Sequence, residues 1–126
     1  MENYYAKGIK QGTQRSLTVS FDDGENELPL DDVERIEFIF KQKRSRNAET
    51  IKSAVWEPSD ENGVVRIADT NSLSVLFTKE ETYDFEPGKP FYMDTRIYTE
   101  YSGENPATAI VELMMNDTLF DREAEN

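Results

Sequence analysis

Between Leu73 and Tyr98 the chain reads LSVLFTKEETYDFEPGKPFYMDTRIY, and this segment limits the fold more than any other. Strict alternation places Leu73, Val75 and Phe77 on one face of a half-buried strand, and Phe91, Met93, Thr95 and Ile97 on one face of a second. Between them, Thr78-Lys79-Glu80-Glu81 has the Ser/Thr-x-x-Glu form of a capping box, which starts a helix by satisfying its orphan backbone donors. Pro87-Gly88-Lys89-Pro90 then excludes helix and forces a bend. The segment therefore predicts strand, one helical turn, corner, strand.

The same period of two recurs along the rest of the chain. Leu17, Val19 and Phe21 alternate in residues 15–21, and Asp22-Asp23-Gly24-Glu25-Asn26 follows as a turn. Leu28-Pro29-Leu30 is read as extended, and residues 33–43 as the strongest strand, with Ile36, Phe38 and Phe40 on one face. Residues 50–56 form another, with Ala54 and Trp56 sharing a face, ended by Pro58. Asp60-Glu61-Asn62-Gly63 is predicted to be a hairpin turn into residues 64–68, because an Asn-Gly pair tolerates positive φ. Ser102-Gly103-Glu104-Asn105-Pro106 makes the last turn before a strand over residues 108–115, although residues 111–120 also fit a helix. About eight short strands at roughly 8–12-residue spacing predict an all-β sandwich or barrel with one short helical turn. Phe38, Phe40, Trp56, Val75, Phe77 and Ile97 are expected on its facing inner surfaces.

With 126 residues there is room for one core and hardly for two. Residues 1–126 are read as a single domain, with 1–14 and 121–126 peripheral or frayed. The formal charge of −12 opposes binding to nucleic acid or to an anionic membrane, both of which need a cationic face. There is no histidine and no cysteine, which removes the usual base near neutral pH, the commonest zinc ligands and the thiol nucleophile. No catalytic, cofactor-binding or metal-binding residue is assigned, and the expectation is that the protein is not an enzyme. The N-terminus, Met1-Glu2-Asn3-Tyr4-Tyr5, shows no basic and apolar signal regions, and no apolar run reaches the ~20 residues that span a bilayer. A soluble protein made in the bacterial cytoplasm is expected.

One resemblance is carried by a series of pieces in a fixed order. Asp32-Val33-Glu34-Arg35-Ile36-Glu37-Phe38-Ile39-Phe40 is followed by Ile51-Lys52-Ser53, then by Val75-Leu76-Phe77-Thr78-Lys79-Glu80-Glu81-Thr82 and Pro87-Gly88-Lys89. Met93-Asp94-Thr95-Arg96-Ile97, Ser102-Gly103, Ala107-Thr108-Ala109-Ile110 and Thr118-Leu119 complete it. In this order and spacing, residues 15–120 resemble the immunoglobulin-like N-terminal domains of baseplate upper proteins and similar small virion proteins of tailed phages. The resemblance implies an antiparallel immunoglobulin-like β-sandwich, no catalysis, and contacts with other virion proteins or with itself in a tail or baseplate. It supplies no site residues. Baseplate proteins usually continue into further domains where this chain ends, so a stand-alone virion component is expected. The rival readings are a small carbohydrate-binding module and an intracellular bacterial protein of unrelated role.

Three clusters are candidate surfaces. Asp22-Asp23-Gly24-Glu25-Asn26-Glu27, with Asp31, Asp32 and Glu34, is acidic but lacks the alternate-position spacing of a calcium loop, so a solvated tip is the plainer reading. Lys41, Lys43, Arg44, Arg46 and Lys52 hold five of the 14 cations at one hairpin end. They read either as a solvated, edge-protecting loop or as a docking patch for an acidic neighbour. Tyr92, Tyr98 and Tyr101, with Tyr4, Tyr5 and Tyr83 elsewhere, could form a sugar platform, an interface, or ordinary packing.

Overall fold

The computed structural model describes residues 8–21, 28–99, 108–120 and 122. In chain order its strands are β1 (Ile9–Lys10), β2 (Arg15–Ser20), β3 (Val33–Lys41), β4 (Thr50–Trp56), β5 (Val64–Arg66), β6 (Ser72–Phe77), β7 (Lys89–Thr99) and β8 (Val111–Asn116). A single-turn helix, α1 (Lys79–Thr82), joins β6 to β7, and a 3-10 turn (Leu30–Asp32) leads into β3. The strands form a five-stranded sheet, β1-β8-β7-β3-β4, and a three-stranded sheet, β2-β6-β5. In a variable-type immunoglobulin sandwich, β8-β7-β3-β4 take the places of strands G-F-C-C′ and β2-β6-β5 those of B-E-D. The fold is therefore an all-β, immunoglobulin-like sandwich with one short helical turn.

Alternation builds the core. Each strand turns one row of apolar side chains inward, and Phe38, Phe40, Trp56, Val75, Phe77 and Ile97 are all buried as expected. Without cysteine the disulfide that staples many such sandwiches cannot form, and phenylalanines fill the centre instead. Phe77 of β6 meets Phe40 of β3 edge to face at 5.0 Å between centroids, and Phe85 and Phe91 lie 4.6 Å apart. Such pairs contribute about 0.5–1.5 kcal/mol beyond the area they bury. The capping box forms as the sequence indicates: Glu81 N–H donates to Thr78 Oγ1, and Glu81 Oε1 accepts from Thr78 N–H.

Four expectations change. The sandwich is not wholly antiparallel, because β1 runs parallel to β8, with Ile9 opposite Met115. Within the segment expected to be peripheral, β1 occupies the sheet edge, Ile9 is buried in the core and Gln11 Nε2 donates to Phe85 O. Gly8 makes this docking possible: its φ is +69°, and a Cβ there would run into the Met114 carbonyl. The Asn62-Gly63 turn is not a hairpin, because β4 and β5 belong to different sheets and residues 57–63 carry the chain across. Of that pair only Gly63 has positive φ, whereas a tight type I′ turn needs both residues there. The true hairpin follows β5, turning at Asp69 with φ +63°, and it pairs Arg66 with Leu73. Finally, Leu28-Pro29-Leu30 does not stay extended: Pro29 does, but Leu30–Asp32 coils into the 3-10 turn and buries Leu30. Residues 111–116 are strand rather than helix.

Candidate protein-docking surface

The β3–β4 hairpin carries the basic run, and its backbone is braced from both sides. Lys41, the last residue of β3, folds back so that its Nζ donates to Arg46 O at 2.8 Å and Ser45 O at 3.4 Å. Within the loop, Ser45 N–H donates to Lys43 O and Ala48 N–H to Ser45 O. At its base Gln42 spans to the α1–β7 corner, donating to Pro90 O at 2.9 Å and accepting from Glu86 N–H at 2.7 Å. The turn is held by its own bonds.

This bracing divides the five cations. Lys41 is spent on the loop's carbonyls. Lys52 does not join the surface at all, because it pairs with Phe40 across the ladder and so faces inward. Its side chain is 10% exposed, its Nζ lies 5.2 Å from the Phe77 ring centroid, and it forms a 2.7 Å ion pair with Glu81. The parity that puts Ala54 and Trp56 on one face extends to Lys52, so its inward aim was readable in the sequence. Lys43, Arg44 and Arg46 remain, all exposed, and among the described residues no carboxylate reaches them. The candidate surface is these three.

Glu81 serves the cap and the pair together. Burial pushes its carboxyl up, but the hydrogen bonds from Lys52 and Thr78 N–H outweigh this and hold it below its ordinary 4.5. Other carboxylates at this end are likewise engaged. Arg122 reaches Glu80 at 2.9 Å and Asp84 at 3.7 Å, and Lys89 lies 3.7 Å from Glu86.

Among the described residues the tyrosines do not make a platform. Tyr92 and Tyr98 share the outer face of β7, but six residues of strand put them about 20 Å apart. One face of the Tyr98 ring is covered by the Arg35 guanidinium at 4.4 Å, and its hydroxyl donates to Glu37 at 3.0 Å. A hydrogen bond to Tyr98, with the Glu37 and Asp94 charges, raises Arg96 above its ordinary value. Among the described residues Arg35 Nε is buried without a hydrogen-bond partner, while Arg35 Nη2 lies 3.6 Å from Glu37 Oε2. Tyr83 belongs to the α1 C-cap, with Arg122 over its ring at 5.7 Å. Tyr4, Tyr5 and Tyr101 lie outside the described residues, as do the Asp22–Glu27 loop, residues 102–106 and most of 121–126. Among the described residues no group of three His, Cys, Asp or Glu is placed to hold a metal ion.

At the far end of β4, Glu61 joins the two sheets. Its Oε2 accepts from Arg66 N–H at 2.7 Å and Trp56 Nε1 at 3.0 Å, and these bonds hold its carboxyl below 4.5.

No family model matches the chain, and no curated protein matches it. Among solved structures, it is similar in shape to extracellular domains of the voltage-gated sodium channel beta4 subunit, described as parallel homodimers. The identity is 14%, the TM-score 0.40, and the match covers 88% of this chain and 89% of that one. A structure from work on multimeric cell-adhesive interactions of VGSC beta subunits matches at 12% identity and TM-score 0.44, over 87% and 88%.

Proposed function

We propose that this domain is a non-enzymatic structural protein of a tailed phage or prophage, sited in the tail or baseplate and acting by docking on other virion proteins. The observation that carries the docking reading is the braced hairpin tip, where Lys43, Arg44 and Arg46 stand exposed and, among the described residues, unmatched by any carboxylate on a chain of net charge −12. The Lys41 clamp and the Gln42 tie hold the turn in one shape, and a rigid turn loses less entropy on binding. The virion setting is supported by the sequence resemblance across residues 15–120, and the immunoglobulin-like sandwich is the fold which that resemblance implies. The carbohydrate reading has weaker support, since Tyr92 and Tyr98, two of the three tyrosines that would stack on sugar, are separated, and Tyr98 is covered by an arginine.

The test is physical association with particles. An antibody against the domain should detect it in virions purified by density gradient from the strain that carries its gene, and label the tail or baseplate. Particles that assemble and infect while containing none of it would overturn the proposal.

A further inference from the structure

The strand directions sort the charges along the long axis of the sandwich. β3 runs from Val33 to Lys41, so the basic tip stands at one end, while the Leu30–Asp32 turn and the chain leaving β4 at Glu57 stand at the other. The β5–β6 turn joins that far end through the 2.7 Å pair between Arg66 and Asp31. Asp32, Glu34, Asp60 and Asp69 are exposed there, and among the described residues no cation reaches them. At the hairpin end Glu80, Glu81, Asp84 and Glu86 already have cations of their own. Among the described residues Glu49, Glu112 and Asp117 are exposed without one, and no carboxylate reaches Lys43, Arg44 or Arg46. The nine residues of β3 separate the two ends by about 27 Å. That exceeds the Debye length of ~8 Å at physiological salt threefold, so within one molecule neither end neutralises the other.

We propose that the partner of the basic tip is a second copy of this chain, met head to tail. Lys43, Arg44 and Arg46 of one copy face Asp32, Glu34, Asp60 and Asp69 of the next. The inference rests on the docking reading above and names its partner. Two different surfaces meet, so the contact is heterologous: it leaves a basic tip and an acidic end unoccupied, and it grows into a ring or a row. At ~0.01 M salt the Debye length approaches 30 Å, so the contact between unlike ends is least screened there, while the repulsion between copies of net charge −12 also reaches furthest.

Sedimentation of the full chain across a salt and concentration series tests this with two charge-reversed variants. One carries Lys43→Glu, Arg44→Glu and Arg46→Glu; the other carries Asp32→Lys, Glu34→Lys and Asp60→Lys. At ~0.01 M salt the unaltered protein should exceed its 14.6 kDa monomer mass, with no plateau at a dimer, and return to it as salt rises. Each variant alone should remain at 14.6 kDa, and an equimolar mixture should associate again, because each supplies the end that the other lacks. Should reversal prevent folding, Lys43→Ser, Arg44→Ser and Arg46→Ser poses the same question, with loss of association expected. A monomer at every salt concentration, a tip variant that associates normally, or a mixture that stays monomeric overturns the head-to-tail contact. Failure here leaves the domain's presence in virions to its own test, so the two proposals fail separately.

Discussion

Replacing Glu81 with alanine removes two contacts at once, the return bond of the capping box to Thr78 N–H and the ion pair with Lys52. Losing a capping group costs about 1 kcal/mol. Stranding one partner of a fully buried pair costs roughly 3–5 kcal/mol. Here Lys52 is 10% exposed but Glu81 is 36% exposed, so solvent screening cuts that to about half. The expected loss for Glu81→Ala is therefore about 2.5–3.5 kcal/mol. Lys52→Met keeps the stem packed against Phe77 and leaves Glu81 to cap α1 in contact with water, so it should change stability by less than about 1 kcal/mol. In the Lys52→Met background, Glu81→Ala should cost only the cap, about 1 kcal/mol. Urea unfolding at neutral pH, followed by the fluorescence of buried Trp56, gives all four corners of this cycle. The pH dependence adds a check. The folded Glu81 carboxyl lies below its ordinary 4.5, so its contribution is fully present above that value and disappears as pH falls through the lower folded one. The gap between wild type and Glu81→Ala should narrow only in that acid range. Equal losses in both backgrounds, or a Lys52→Met variant as unstable as Glu81→Ala, would refute the coupling of cap and pair.

Phe38 is fully buried between the sheets, and Phe38→Ala should cost about 3–5 kcal/mol in the same assay, where a loss under about 1 kcal/mol would place it at the surface. Gly8→Ala must hold a left-handed φ and displace the Met114 carbonyl, so a loss of at least ~1–2 kcal/mol should accompany undocking of β1, and an unchanged midpoint would show that β1 does not stabilise the sheet. Melting curves in millimolar calcium and in chelator should coincide, because the acids of Asp22–Glu27 lack calcium-loop spacing; a rise of several degrees with calcium would make that loop a site.

Where period and parity govern, the sequence could be read directly. Leu73, Val75 and Phe77, or Phe91, Met93 and Ile97, need only a sheet with one buried face to reach their places, and the capping box at Thr78 depends on four consecutive residues. The partition into sheets was less legible. Nothing between Trp56 and Val64 says that the chain crosses from one sheet to the other rather than turning back, and a strand as short as Ile9–Lys10 carries no period at all. The surface divided in the same way. The basic run was visible as a run, and the parity of β4 already turns Lys52 inward, but the withdrawal of Lys41 depends on its bending to Arg46 O, and the Glu81 partner of Lys52 arrives from a distant turn. The acidic far end was less visible still, because Asp32, Glu34, Asp60 and Asp69 are gathered only by the directions of β3, β4 and β5.

Concentration-dependent amide shifts by NMR at low salt test the central claim most directly, that the domain works through its charged ends. Dilution should move the amides of residues 43–46 together with those of Asp32, Glu34, Asp60 and Asp69, and added salt should abolish both sets of changes. Tyr92, Arg96 and Tyr98, on the outer face of the large sheet, should remain still. Shifts centred on those three, with the hairpin tip unmoved, would contradict the account.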